Sequence, residues 1–190
     1  MFKNKTTVCL LDETECAFVN ERLTSFGIKI DREKIFYSKK MLMPWHGAMT
    51  CCDGKSSTIQ LHPKLRSKKK LYGLYNKFEI IAHEWIHIQR IHLNAPLFEE
   101  VIAYQTSSSF FRRFFGPIFN PLESIVFVVL ATAACVLQLF SPVFLLMPVF
   151  YFTFCMAKLC VLQTLFKRCR KVFSLKTVMS FGDKDVLRFS

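Results

Sequence analysis

Negative charge is scarce in this chain. Against 26 Lys and Arg stand 14 Asp and Glu, for a net charge of +12. Between Pro117 and Phe166 charge of either sign nearly vanishes, leaving only Glu123 and Lys158. With 52% hydrophobic residues and 21 Phe, a disordered chain is excluded. The eight cysteines form no C-x-x-C pair, which removes the cysteine-ligand zinc and thioredoxin-type signatures. Three of them (Cys135, Cys155, Cys160) fall in the apolar block, where Cys is an ordinary small hydrophobe, so a reduced, cytosol-facing soluble part is expected. The opening MFKNKTTVCLLDETEC carries too short an apolar run for a secretory signal, and the soluble part is expected to stay where it is made. No internal repeat and no nucleic-acid module is visible, so the basic clusters at Lys64–Lys70 and Lys167–Lys176 point to anionic lipid headgroups and not to nucleic acid.

What is present centres on FEIIAHEWIHIQRIH, Phe78 to His92. It contains H-E-x-x-H as His83-Glu84-Trp85-Ile86-His87. Residues four apart share one face of a helix, so both imidazoles can reach one metal ion. Glu84 adjoins the first ligand and can take a proton from a metal-bound water without ligating. A helix from Tyr72 to about Leu93 is expected, apolar over much of its circumference, with Asn94, Ala95 and Pro96 ending it.

The frame before it reads as α+β. A helix is expected over Asp12 to Phe26, with Asp12 and Glu15 arranged as a capping box and Gly27 closing it. Strand-like runs follow at Ile28–Ile30 and Ile35–Tyr37. Ala48–Cys52 and Ser57–Leu61 flank Asp53-Gly54-Lys55-Ser56, a hairpin signal. The second arm could be the edge that holds an extended peptide. A short antiparallel sheet is the expected result.

Leu97 to about Ser107 reads as a second helix carrying Glu99 and Glu100, either of which could be a third ligand. The combination resembles gluzincin-type zinc metallopeptidases, whose third ligand is a Glu on a following helix. In those families that Glu is commonly followed three residues on by a small residue, and Glu100-Val101-Ile102-Ala103 matches. For Glu99 the equivalent place holds Ile102. The resemblance covers roughly 57–104 and implies a zincin-like domain, Zn2+ on His83, His87 and Glu100, and hydrolysis of a peptide or protein substrate with Glu84 as general base. Many gluzincins place an Asp directly after the small residue to orient a ligand His. Here Tyr104 stands there, so either a backbone carbonyl or another acid takes that role or the site is weaker than usual. Tyr104, His92 and His46 are candidates for a donor to the oxyanion, and Arg90 either pairs with Glu99 or is solvated.

Phe110 to Phe115, FFRRFF, suits the headgroup level of a bilayer. Pro121 to Phe140 and Val143 to Phe166 are each long enough to cross about 30 Å of hydrocarbon, and only Ser141-Pro142 parts them. Basic residues lie at both outer ends and none at the turn, which places both ends on the cytoplasmic side. The expected organisation is therefore a catalytic domain over 1–109, an interfacial segment and two-helix transmembrane hairpin over 110–166, spanning or re-entrant, and a basic cytosolic tail over 167–190. The competing reading is a membrane-inserted interaction protein that does no catalysis and whose zinc site is structural or degenerate.

Overall fold

In the computed structural model, residues 7–30, 34–40, 42, 46–52, 57–73 and 75–190 are described. The chain opens with strand β1 (Thr7–Leu10) and helix α1 (Glu13–Leu23). Asp12 caps α1, accepting from the Glu15 backbone N–H at 2.7 Å, as its position ahead of the apolar period requires. The return half of the expected box is not made with the cap. Glu15 instead meets Lys77 Nζ at 2.5 Å, tying α1 to the next long helix. Gly27, at φ 68°, ends the turn after α1 in the left-handed region that glycine tolerates.

Three more strands follow, β2 (Lys34–Tyr37), β3 (Ala48–Cys52) and β4 (Ser57–Leu61). The sheet runs β1-β2-β4-β3. The hairpin of β3 and β4 forms in the register Ala48↔Leu61 to Cys52↔Ser57. Its turn, 53–56, lies outside the described residues, as do Met41 and Pro44-Trp45 of the preceding loop.

Three expectations are corrected here. The sheet is mixed, not antiparallel, because the hairpin returns β4 alongside β2 in parallel. The edge strand is β3, while β4 is interior, with Ile59, Gln60 and Leu61 all buried, as a strand covered on both faces must be. Ile28–Ile30 forms no strand, since both backbone groups of Ile30 are taken by the Asn20 side chain, at 2.7 and 3.0 Å.

A short ladder of β5 (Lys70–Leu71) and β6 (Tyr75–Asn76) leads into α2 (Lys77–Arg90). Asn76 caps α2 at the Phe78 N–H, 2.9 Å. Its apolar face, Ile81, Ala82 and Ile86, is fully buried in the core. A 3-10 turn over Ile91–Leu93 and Asn94 at φ 44° end the run, and α3 (Pro96–Ala103) folds back against α2. Next come α4 (Phe110–Phe115), α5 (Pro121–Leu137), α6 (Leu146–Val172), α7 (Leu175–Val178) and α8 (Asp183–Arg188). The protein is thus a mixed α+β chain with small sheets and a large helical share.

The segment 167–190, expected as a basic tail, packs onto the rest of the chain. Cys169, Val178 and Val186 are fully buried in the same core as α1, the sheet and α2. Arg90, 1% exposed, reaches neither Glu99 nor solvent; it donates to the carbonyls of Val178, Met179 and Phe181 at 3.3, 2.8 and 3.1 Å. Asp183 accepts from the Leu97 and Phe98 N–H groups at 3.0 and 3.2 Å, capping α3, which has no side-chain cap of its own. Apolar spacing holds this segment down, and polar groups fill the gaps.

Among the described residues one stretch, Pro142–Val172, is by length and composition apolar enough to cross a membrane. Leu122–Leu137 qualifies only together with Phe110–Ile118, from which it bends by 72°. Helices α5 and α6 run in opposite directions against each other. Glu123 pairs with Lys158, and Phe127 meets Phe152 at 6.3 Å between ring centroids. Leu139 and Phe140, at the turn joining them, are 83% and 82% exposed.

Candidate metal centre

Two turns of α2 present His83 and His87 on one face, as the four-residue spacing dictates. Their Nε2 atoms lie 3.1 Å apart. Helix α3 brings Glu100 onto the pair, one oxygen 3.4 Å from His83 Nε2 and the other 3.6 Å from His87 Nε2. Around a tetrahedral ion with bonds of about 2.0–2.1 Å, donor atoms stand roughly 3.3–3.4 Å from one another. The His83–His87 separation and the 3.4 Å from His83 to one Glu100 oxygen lie near that value, and taking one atom per residue the three donors stand within 4.8 Å of one another. Two imidazole nitrogens and one carboxylate are the donor set of a catalytic zinc centre. Among the described residues this is the group of His, Cys, Asp and Glu side chains with ligand atoms close enough to share an ion.

Glu99 faces the other side of His87. Its Oε1 lies 2.7 Å from His87 Nδ1. A carboxylate only accepts, so Nδ1 carries a hydrogen for Glu99, and Nε2 is the atom turned toward Glu100 and His83. The two adjacent acids of α3 therefore divide the work. Glu100 faces the two Nε2 atoms and Glu99 holds Nδ1 of His87. Of the two partners expected for a histidine here, a backbone carbonyl or another acid, His87 meets an acid.

The charges agree with the geometry. Burial disfavours a charged His87, but the Glu99 hydrogen bond and the carboxylates of Glu100 and Glu84 outweigh it and raise its pKa to about 9. Burial likewise opposes ionisation of Glu100, yet His83 and His87 hold it down at about 2. The carboxylates of Glu99, Glu100 and Glu84 thus gather around His87, a setting that favours a cation.

Glu84 points to the same cleft. Thr50 Oγ1, on β3, donates to Glu84 Oε2 at 2.9 Å, joining the acid to the edge strand. The Tyr104 ring stands edge-on to His83, with centroids 4.5 Å apart. Burial, then the Glu100 carboxylate, pushes the phenol above its ordinary pKa, so it remains a hydroxyl donor. His46 also lines the cleft, while His92 is exposed and does not. The cleft has a volume of about 790 Å³ and takes in Ala48, Met49 and Thr50 of the edge strand.

One acid escaped sequence reasoning. Glu79, one turn before His83, is buried and accepts from Ser107 Oγ at 2.9 Å, the Ser108 N–H at 3.1 Å, the Ser108 hydroxyl and Arg112 Nη1 at 2.6 Å. Arg112 also lies 4.9 Å over the Tyr75 ring and lines the cleft. The signal was the i−4 spacing to His83, which puts an acid on the ligand face of an otherwise apolar helix. Thr50 gave no local signal at all.

Comparison of the chain with protein-family models, with curated proteins and with solved structures returned no match.

Proposed function

We propose that this chain is a zinc-dependent peptide hydrolase with a zincin-like domain, held in a membrane by the α5–α6 hairpin. The group of His83, His87 and Glu100, whose ligand atoms all lie within 4.8 Å of one another, carries the reading. A zinc ion held there supplies Lewis acidity to a peptide carbonyl and brings the pKa of a water to about 7. Glu84 has one oxygen engaged by Thr50 and the other available to accept the water's proton and pass it to the leaving amine. Tyr104 is placed beside His83 to donate to the tetrahedral oxyanion. Strand β3, with a free edge along the cleft, offers main-chain groups to an extended substrate.

The membrane part rests on exposed apolar surface along α5 and α6, including Val129, Phe150 and Phe154. The segment before α5 and the end of α6 both pack on the same domain, so both ends of the hairpin lie on one side. Lys167, Arg168, Arg170 and Lys171 flank it there, which favours the cytoplasmic side. The alternative of a structural zinc in an interaction protein asks for a closed, four-donor site. The described cluster has three donors and opens on a cleft, which favours the enzyme.

Metal analysis of the purified protein tests this directly. About one zinc per chain is expected, lost in His83→Ala and His87→Ala. Glu84→Gln should keep the zinc and lower hydrolysis by about 10²–10⁴-fold. A wild-type protein that binds no metal would discard the site, and undiminished hydrolysis by Glu84→Gln would remove Glu84 as base.

A further inference from the structure

The cleft is not built by the metal-binding helices alone. Gly116, Ile118, Phe119, Asn120 and Ser124, the run into α5 and its first turn, complete its lining. The approach is tight. A Cβ placed on Gly116 would stand 2.2 Å from the Tyr104 ring, so only a residue without a side chain lets this segment lie against the metal site. Phe119 belongs to both places, lining the cleft while stacking on Phe127 of α5 at 5.2 Å and meeting Phe152 of α6 at 6.1 Å. Gln163 of α6 donates to the carbonyls of Arg113 and Phe114 at 3.1 and 3.4 Å, fastening the hairpin to this wall. Glu123 and Lys158 pair at the same level and are the last charges before the apolar spike. A charge pair of this kind marks the edge of hydrocarbon, because neither partner enters it cheaply. Ser124, the next residue, still lines the cleft.

We infer that the substrate is a polypeptide anchored in the same bilayer, cut close to the point where it leaves the hydrocarbon. The inference rests on the membrane-anchored hydrolase reading. An extended chain advances roughly 3.3–3.6 Å per residue, so a cleft walled by the foot of the hairpin receives a bond within about five residues of the bilayer. Segments farther out run past the catalytic groups.

The test uses the full-length, zinc-loaded protein in phosphatidylcholine–phosphatidylserine vesicles. The probe is a randomised peptide pool joined directly to a poly-leucine helix of about 20 residues. A second probe carries the same pool on the same helix through a Gly/Ser spacer of roughly 20 residues, which keeps a high local concentration while moving the pool away from the surface. A third is the free pool. The directly joined pool is expected to be cut at least about ten-fold faster than either other probe, since only it is positioned for attack. Mass spectrometry should place its cuts within about five residues of the helix end. Equal rates, or cuts spread through the spaced or free pool, overturn the inference and leave the hydrolase reading intact. No cutting above the Glu84→Gln background in any pool overturns both.

Discussion

Helices α2 and α6 both read as apolar, yet protein covers one and only part of the other. In α2 the residues Ile81, Ala82 and Ile86 are fully buried, and Glu79, Glu84, His87 and Arg90 each meet a defined partner. In α6 the second half behaves alike, with Leu159, Phe166 and Cys169 in the interior. The first half leaves Phe150 and Phe154 bare. When a helix has protein on its apolar side, its polar side can converge on one cleft, as His83, Glu84 and His87 do. Where the described residues leave it exposed, lipid is the partner proposed above. A single helix thus changes from covered to exposed along its length.

Changes at the ligand face should separate the two regions most sharply. Glu100→Ala is expected to lower zinc affinity by more than about 100-fold, and Glu99→Ala by about 10–100-fold, as read by competition with a chelator. Equal losses would show that the two acids share one role. Next is Arg90→Ala, which leaves three carbonyls of the docked C-terminal segment without their donor. Unfolding free energy should fall by about 3–5 kcal/mol, seen as a lower Tm and as protease sensitivity beyond Val172. At the hairpin turn, Leu139→Arg removes no protein contact of note. Stability should move by less than about 0.5 kcal/mol. Binding to vesicles should weaken by about 2–3 kcal/mol in a flotation assay. If its Tm dropped as far as that of Arg90→Ala, the turn would be packed on protein and the contrast between α2 and α6 would fail.

The smallest effect concerns Glu79. Burial favours its neutral form, but hydrogen bonds from Ser108 and Ser107 and the charge of Arg112 outweigh this and hold its pKa below the ordinary 4.5. A carboxylate depressed in the folded state contributes stability above its unfolded pKa and loses it as pH falls through the folded one. Tm measured downward from pH 5 should therefore decline more steeply in the wild type than in Glu79→Gln. Parallel curves would mean that the Glu79–Arg112 link between α2 and α4 adds no net stability.

Much of this was legible along the chain. The α1 cap at Asp12, the β3–β4 hairpin, the breaks at Asn94 and Pro96 and the pairing of His83 with His87 all follow from neighbours a few residues apart. What was missed has partners far away. Ile30 turns from strand to loop because Asn20 takes both its backbone groups. The edge strand is β3 because β4 inserts beside β2, a choice no single strand encodes. The end of the chain reads as a basic tail until Arg90 and Asp183 are seen to fasten it.

The two acids of α3 show the same division within the site. Their nearness to the histidines was written in the order of residues, since a helix repeats every 3.6 residues whatever surrounds it. Which one meets the nitrogens depended on how α3 turns about its own axis as it crosses α2. Buried side chains such as Phe98, Val101 and Ile102 set that rotation, and it sends Glu100 to the two Nε2 atoms and Glu99 to Nδ1. Helical period is a local property of the backbone. Rotation of one helix on another belongs to the packed core, and it assigned each acid its part.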